Sequence, residues 1–557
     1  MKTWSICCWL LSLVSTALAW PSLGMGDDVT YLDQGLKDAD RQAYYYRPQG
    51  SEVLPHRWFL ALEQSLSQKL FRDDDFLESY GFLRNPVNKS NPDGFPVGFA
   101  NGRAADGTVW TGLTCAACHT AQIHSKEKRI RIDGGPNLVD LTGWQQELTD
   151  ALRITVAQPE KFDRFAKRVL ANQYSDKTAA ELKTQVSQYA IAMTDWAARN
   201  RSANPTGPGC FDALNTLMNA TNATAAGNKD NFRVPNMPVS YPAIWLTQKE
   251  DLVLWNGAVH NMTMRRVGEV IGVFGRAKVT PIDGGLKYET TADMRELDKM
   301  YDTLNDLQPP QWPESIFGAI DRAKADLGAK LYDREGCAKC HSNRPPYPMT
   351  APNKYGESFI KVTNVPFQEV GTDPTYSLYF VERTASVGAL GPMFKGSTYE
   401  GKTEVPAAVM FLGLLANFTM SGLQELNPTP DELVDLLGRR EMPALPKNSA
   451  EEQALVKSLL VYRAAPLAGI WATAPYLHNG SVASLHDLLL PPEKRAKSFQ
   501  TGNRQFDPVR VGYQTAPAEG STKFDTSVSG QSNMGHLYGT KITADERAAL
   551  LEYLKTL

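Results

Sequence analysis

Apolar side chains recur every three or four residues along segment 313–336, with polar and charged residues between them. The apolar positions are Ile316, Ile320, Ala323, Leu327 and Leu331. This spacing puts them on one face of a helix, so it predicts an amphipathic helix that runs into the residues after 336.

The last fifteen residues carry a second helical signal. Thr543 is followed three positions later by Glu546, which is the pattern of a capping box. Leu550, Leu551 and Leu554 then repeat at helical spacing. The sequence therefore predicts a capped helix that closes the chain.

In two further segments most of the residues are apolar, so the apolar positions are not confined to one face of a helix. Segment 405–418 is too tightly bounded by polar residues and proline to span a membrane, so we expect a buried helix there. At the N-terminus, Lys2 precedes the apolar stretch 4–18, and Ala17 and Ala19 are small residues at cleavage positions. This pattern predicts a secretory signal peptide at residues 1–19 and a mature protein that is periplasmic or secreted.

The chain has 557 residues, which is long for a single core and suggests two or three domains; we expect a division into 20–310 and 311–557. The net charge is −3, without long runs of like charge. A near-neutral balance gives no electrostatic reason to expect nucleic acid or an anionic membrane as a partner. We therefore predict a protein that binds no nucleic acid and does not span a membrane.

Cysteine usage changes this picture. Removal of the signal peptide leaves five cysteines, and four of them lie in two Cys-x-x-Cys-His units. The first unit is Cys115, Cys118 and His119, and the second is Cys337, Cys340 and His341. Such a unit attaches a c-type haem through both cysteines and supplies an axial histidine to the iron. The fifth, Cys210, is predicted to be a buried thiol without a function.

Two other kinds of site use paired cysteines. The halves of a structural zinc site usually lie within a few tens of residues, whereas Cys118 and Cys337 are more than two hundred apart. A redox dithiol does not require a histidine after the second cysteine in both copies. The spacing therefore favours two covalently bound c-type haems, with His119 and His341 as iron ligands.

The sixth coordination position decides whether a haem transfers electrons or binds a substrate. Three histidines stand out from their surroundings. His536 lies in a glycine-rich loop before the closing helix, His478 lies ahead of an Asn-Gly turn, and His260 lies between tryptophans and arginines. Trp245 is one of those tryptophans and could lie between the two centres, although core packing explains it equally well.

These residues lie within longer motifs. The sequence resembles the di-haem cytochrome c peroxidase superfamily and, within it, the branch that includes the rubber oxygenases. The matching stretches cover nearly the whole mature chain and include LPHRWFLALEQ (54–64), FPVGFANG (95–102), WTGLTCAACHTAQI (110–123), IRIDGGPNLVDL (130–141), GPGCFDALN (207–215), EGCAKCHS (335–342), VGTDP (370–374), APYLHNGSVASLHDLL (474–489), FDPVRVGY (506–513) and SNMGHLYGT (532–540).

The resemblance implies a mainly α fold of two cytochrome-c-like haem domains with extended loops and few short strands. It implies that the second haem is six-coordinate between His341 and His536 and transfers electrons, with His478 as its neighbour or alternative ligand. The first haem, on His119, would offer the reactive face. Calcium is a further cofactor in related peroxidases, and no contiguous loop predicts it here.

The sequence departs from the family at two positions. Cys210 stands where the family more often has a basic residue. His260 stands roughly where the rubber oxygenases carry an aromatic residue over the oxygen-binding face. A histidine there could act as an acid–base group on peroxide or as a sixth ligand, and the residues alone leave both roles open.

The leading hypothesis is a peroxidase-like di-haem oxidoreductase, with His260 and Trp245 as the candidate catalytic residues. It would reduce peroxide at the first haem with electrons relayed by the second. Its electron donor would be a small protein such as a mono-haem cytochrome or a cupredoxin. Two alternatives remain: a haem-dependent oxygenase that uses dioxygen to cleave an unsaturated hydrocarbon, and a pure electron-transfer cytochrome.

Overall fold

The computed structural model describes residues 29–342 and 344–557. The predicted signal peptide at residues 1–19 lies outside the described residues. Helices account for about 41% of the residues and strands for about 16%, without a closed sheet. The predicted pair of cytochrome-c-like domains remains a proposal.

Eighteen α-helices occur in the described part of the chain. They are α1 Asp38–Tyr46, α2 His56–Ala61, α3 Asp74–Ser79, α4 Leu141–Ala157, α5 Pro159–Leu170, α6 Asp176–Arg199, α7 Ala213–Met218, α8 Met262–Gly272, α9 Met294–Asn305, α10 Glu314–Phe317, α11 Arg322–Arg334, α12 Phe367–Val370, α13 Thr375–Glu382, α14 Ala407–Gln424, α15 Pro430–Leu436, α16 Ser449–Leu459, α17 Leu485–Leu488 and α18 Ala544–Leu554.

The strands are short and form small sheets of two or three strands. They are β1 Val29–Tyr31, β2 Leu54–Pro55, β3 Phe99–Arg103, β4 Val109–Leu113, β5 Thr120–Ser125, β6 Lys128–Asp133, β7 Cys210–Phe211, β8 Val239–Ser240, β9 Ala277–Ile282, β10 Gly285–Thr290, β11 Thr363–Pro366, β12 Thr384–Ser386, β13 Glu404–Pro406, β14 Val461–Ala464, β15 Ser498–Thr501, β16 Phe506–Asp507, β17 Gly512–Tyr513 and β18 Thr522–Asp525. The three-stranded sheets have the orders β1-β6-β5 and β2-β4-β3, and β11 pairs antiparallel with β14.

The helix predicted over 313–336 is interrupted in the structure. Gly318 adopts φ +95, a left-handed conformation that glycine tolerates, and it ends α10 after Phe317. Asp321 then accepts a hydrogen bond from the backbone N–H of Lys324 and starts α11. The segment that leads into the second Cys-x-x-Cys-His unit is therefore α11 alone.

The closing helix is confirmed as α18. Thr543 accepts a hydrogen bond from the backbone N–H of Glu546, and the Glu546 carboxylate accepts one from the Thr543 N–H. α11 and α18 pack closely, since Gly328 of α11 leaves no room for a side chain against Ala549. This helix pair frames the second unit, because Cys337 follows α11 and His536 precedes α18.

The predicted buried helix at 405–418 is confirmed as α14, whose apolar residues are almost all inaccessible to solvent. It is long and apolar enough to cross a membrane by composition, but two thirds of it (67%) is buried inside the protein. One apolar core surrounds α14, and it contains both Met264 and Phe411. A second core contains both Tyr44 and Leu550. Both cores thus draw residues from each side of position 310, and the division proposed there stays a prediction.

Candidate haem sites

The first Cys-x-x-Cys-His unit folds as a tight turn. Residues Cys115–Ala117 form a single 3₁₀ turn, and the Thr114 hydroxyl accepts a hydrogen bond from the N–H of Ala116 at its start. The backbone N–H of His119 donates to the Cys115 carbonyl at 2.9 Å. Cys115 and His119 both line one small cavity, whereas Cys118 is buried in the adjoining apolar core.

The second unit has the same local fold. Cys337–Lys339 form a 3₁₀ turn that begins after Gly336, whose φ of +80 lets the chain leave α11. The N–H of His341 donates to the Cys337 carbonyl, again at 2.9 Å. The two units are therefore matched structurally as well as in sequence.

Both histidine rings are held at the same nitrogen. His119 Nδ1 donates to the Pro242 carbonyl at 2.8 Å, and His341 Nδ1 donates to the Ala465 carbonyl at 2.9 Å. A carbonyl oxygen only accepts hydrogen bonds, so the proton lies on Nδ1 and the lone pair on Nε2 is free for a metal. Burial lowers the pKa of His119 to about 4 and also lowers the pKa of His341, which keeps both rings neutral.

The two carbonyl acceptors were not predicted from the sequence. Each stands just before a related stretch, Ile-Trp-Leu-Thr at 244–247 and Ile-Trp-Ala-Thr at 470–473. The acceptor precedes the isoleucine by two residues in the first copy and by five in the second, so the repeat does not mark the acceptor itself.

Trp245, predicted to lie between the centres, is buried between the segments that hold the two histidine rings. It follows the acceptor Pro242 by three residues, and its indole Nε1 donates to the Ala468 carbonyl at 3.0 Å. Ala468 in turn follows Ala465, the acceptor for His341. The indole therefore connects the two proximal segments and also packs in the core.

A cavity of about 270 Å³ lies beside the second unit. Cys337, Cys340, His341, His478 and His536 all contribute to its walls, and most of the remaining lining is apolar. The volume is near the lower end of the range for cofactor sites. The structure thus brings together every residue predicted for the second haem.

His341 and His536 face each other across this cavity, with ring centroids 6.4 Å apart. A metal–imidazole bond is about 2.0–2.1 Å and the ring centre lies about 1.1 Å beyond the nitrogen, so two axial rings are expected about 6.3 Å apart. His536 Nδ1 is also buried without a hydrogen-bond partner. The residues at this site fit an iron held between the two histidines.

His478 is engaged by its protein neighbours. Its ring stacks on Tyr462 with centroids 4.3 Å apart, and its Nε2 lies 3.2 Å from the Tyr462 hydroxyl. Burial lowers the pKa of His478 to about 4. Its contacts favour a neutral wall residue over a ligand.

The first unit offers the same ligand chemistry with much less space. The cavity beside Cys115 and His119 measures about 20 Å³, which is far too small for a porphyrin. Side chains of α8 and α9 fill the region, among them Arg265, Glu269 and Tyr301. The donors at this site fit a haem, but the volume in this structure does not.

Polar groups of the first cavity lack partners. The Nε atoms of Arg265 and Arg266, which both line this cavity, are buried without a hydrogen bond. Buried donors of this kind are costly unless something accepts from them. Carboxylates such as the propionates of a haem would satisfy them.

The structure places His260 outside both cavities. Its carbonyl accepts from the Arg440 guanidinium at 2.9 Å, and its ring interacts with the backbone of Glu441. The acid–base group that does line the first cavity is Glu269, whose carboxylate pairs with Arg265 at 2.6 Å. Glu269 was not predicted from the sequence, although it lies one helical turn after Arg265.

Cys210 is buried, as expected, and its thiol donates to the Asn479 carbonyl at 3.4 Å. Burial raises its pKa to about 12. Over residues 29–342 and 344–557, no group of three or more His, Cys, Asp or Glu side chains is arranged to hold a metal ion. Calcium therefore gains no support from these residues.

Comparison with known proteins adds three similarities. Residues 461–500 match the family described as RoxA-like, cytochrome c-like. Uncharacterized protein y4iJ of Sinorhizobium fredii is 32% identical over 95% of this chain and 94% of its own length. Uncharacterized protein y4iM of the same organism is 25% identical over 64% of this chain and 73% of its own length. The matched segment contains Ala465 and His478, and it indicates a haem-cytochrome role.

Proposed function

The chain belongs to the same family as uncharacterized protein y4iJ of Sinorhizobium fredii, and we propose that it is a di-haem c-type cytochrome with peroxidase-like activity. We further propose that it works in the periplasm or outside the cell and receives electrons from a small donor protein. The cytochrome c-like segment at 461–500 supports the haem assignment.

One observation carries the proposal. Both Cys-x-x-Cys-His turns present an imidazole whose Nδ1 is fixed by a backbone carbonyl, at 2.8 Å for His119 and 2.9 Å for His341. Fixing Nδ1 orients the ring and directs the basic Nε2 to a metal. The same arrangement at two separate units supports two haems.

The two sites differ on the opposite side. His536 faces His341, so a metal there would have two strong ligands, which suits electron transfer. The first cavity has no second histidine among its lining residues, and Arg265, Arg266 and Glu269 line it together with apolar side chains of α9. This asymmetry supports the first site as the reactive one.

With the side chains of α8 and α9 moved aside to admit it, a haem held by His119 would supply the redox chemistry by which peroxide takes up two electrons and two protons and becomes two molecules of water. The residues of the chain would handle the protons. Glu269 lines the first cavity and is 34% exposed, so its carboxylate can exchange protons with solvent. Arg265 pairs with that carboxylate and orients it. We therefore transfer the acid–base role from His260 to Glu269.

The three charged side chains at the first cavity also bear on the oxygenase alternative. A site for an unsaturated hydrocarbon should be apolar throughout, whereas Arg265, Arg266 and Glu269 stand among the apolar side chains that line this cavity. Peroxide, which is small and polar, suits this lining better.

The test compares two variants of the purified holoprotein, Glu269→Gln and His260→Gln. Peroxide-dependent oxidation of a reduced small cytochrome would be followed at several pH values. We expect Glu269→Gln to lower kcat by about 10²- to 10⁴-fold, the usual range for general acid–base catalysis, and His260→Gln to stay close to wild type. The reverse result would return the role to His260.

Binding of carbon monoxide to the reduced protein separates the remaining functions. One molecule bound per chain is expected for the peroxidase. No binding would show that both irons have two protein ligands, and the protein would then be an electron carrier.

A further inference from the structure

The loop that carries His536 is held in an unusual conformation. His536 itself has φ +47, in the left-handed region that non-glycine residues seldom occupy. Such a conformation persists only when the surrounding structure determines it. The contacts of the loop should therefore show what keeps the ring in place.

One contact comes from the segment before α13. The His536 N–H donates to the Val370 carbonyl at 2.8 Å. A Cβ on Gly535 would lie 2.1 Å from the carbonyl carbon of Gly371, so only glycine fits at this crossing. This side of the loop is fixed by backbone alone.

The other side is fixed by one side chain, Arg495. It is 4% exposed, and none of the ion pairs in the described ranges involves it. Its guanidinium donates instead to five backbone carbonyls: Asn533 at 2.5 Å, Gly535 at 2.9 Å, His536 at 3.2 Å, and Leu488 and Leu490 at 3.0 Å each. Three of these acceptors belong to the His536 loop.

Burying a guanidinium without a carboxylate partner costs free energy of folding. A buried arginine in this position therefore indicates that its hydrogen bonds have a structural or functional role. The planar fork of arginine suits an array of carbonyls that a lysine ammonium cannot span. The array joins the His536 loop to the last residue of α17, Leu488, and to Leu490, two residues beyond it.

We propose that Arg495 is a positioning residue that holds the 533–536 loop so that the His536 ring stays opposite His341. The inference rests on the proposed function, since it concerns the second axial ligand of the second haem. Without the guanidinium, the loop loses three of its hydrogen bonds and the left-handed conformation of His536 loses its support.

The test uses the purified holoprotein and four variants. Arg495→Gln removes the fork, and Arg495→Lys keeps the charge but not the geometry. Gly535→Ala disturbs the loop from its other side. Arg510→Gln is the matched control, because Arg510 is a partly exposed arginine that pairs with Asp487.

The readouts are carbon monoxide bound per reduced chain, the low-spin signal of the ferric protein, the reduction potential of the second haem, and far-ultraviolet circular dichroism. We expect bound carbon monoxide to rise from one to two per chain in Arg495→Gln, Arg495→Lys and Gly535→Ala, with loss of one low-spin component. Arg510→Gln should match wild type.

Unchanged low-spin signal, potential and carbon monoxide binding in Arg495→Gln would overturn the inference, whatever Gly535→Ala shows. Should Arg495→Gln fail to fold, Arg495→Lys and Gly535→Ala decide the matter by the same readouts. Recovery of wild-type spectra in Arg495→Lys would show that charge, not the fork, is what matters, and would also refute the proposal. A wild-type protein without a six-coordinate haem would instead refute the proposed function.

Discussion

The crossing of α11 and α18 allows a prediction in which two energetic terms oppose each other. Gly328 lies in the middle of α11, where replacement of glycine by alanine ordinarily stabilises a helix by about 1 kcal/mol. Here a Cβ would lie 2.2 Å from the Ala549 carbonyl oxygen and 2.6 Å from Tyr553 Cβ. Neither atom can move by a side-chain rotation, so the two helices would have to separate.

Overpacking of this kind costs about 1–3 kcal/mol, and the fixed neighbours favour the upper end. After subtraction of the gain in helix propensity, Gly328→Ala should lower the free energy of unfolding by about 2 kcal/mol. Urea unfolding followed by circular dichroism measures this change. Spectra of the second haem should change as well, because the helix pair frames His341 and His536.

Gly272 provides the matched control for this substitution. It is the last residue of α8, and the atoms nearest to an added Cβ are 3.7 and 3.9 Å away, at ordinary contact distance. Gly272→Ala should be neutral or stabilising by up to about 1 kcal/mol. If Gly328→Ala proved as stable as wild type or more stable, the close crossing of the two helices would be refuted.

Two further predictions concern single titratable groups. Burial, together with Arg504 and Arg129, lowers the pKa of His124 from its ordinary value of 6.5 to about 3. The unfolded chain therefore takes up a proton below pH 6.5 that the folded chain does not, and stability falls on acidification by about 1.4 kcal/mol per pH unit. Between pH 6.5 and pH 5 the wild-type protein should therefore lose about 2 kcal/mol more unfolding free energy than His124→Gln does. If the two proteins lost stability equally over this pH range, the lowered pKa of His124 would be contradicted. Burial raises the pKa of Cys210 to about 12, so its thiol should not react in the folded protein. A thiol reagent should label no cysteine in the native mature holoprotein and one cysteine after denaturation. Labelling without denaturant would contradict the burial of Cys210.

Local sequence signals predicted the local structures well. The capping box at Thr543 and Glu546 and the apolar run of α14 each appear where their patterns indicate. Their physical causes lie within a few residues, so the sequence contains the information. The interruption at Gly318 is the exception, since the apolar spacing continues across it.

Contacts between the site residues and backbone groups far away in the sequence could not be predicted from the sequence. The acceptors for His119 and His341 are carbonyls of Pro242 and Ala465, and a carbonyl has no side-chain signature. Arg495 lies in a stretch of charged residues that resembles a solvated surface, yet it is buried. Tertiary packing alone makes each of them part of a site.

The place of His260 was missed for a related reason. It stands directly before Asn261, the N-cap of α8, and the Asn261 side chain bonds to the carbonyls of Leu437 and Arg440. This contact turns the start of the helix toward segment 437–441, so the residues that reach the first cavity are Arg265 and Glu269.

We propose that each Cys-x-x-Cys-His unit holds one haem covalently. Intact mass and haem absorbance of the denatured, solvent-extracted protein measure this attachment directly. We expect two haems to remain with the chain, and one to be lost in each of the double variants Cys115→Ala/Cys118→Ala and Cys337→Ala/Cys340→Ala. Haem that extracts into solvent, or fewer than two per wild-type chain, would contradict it.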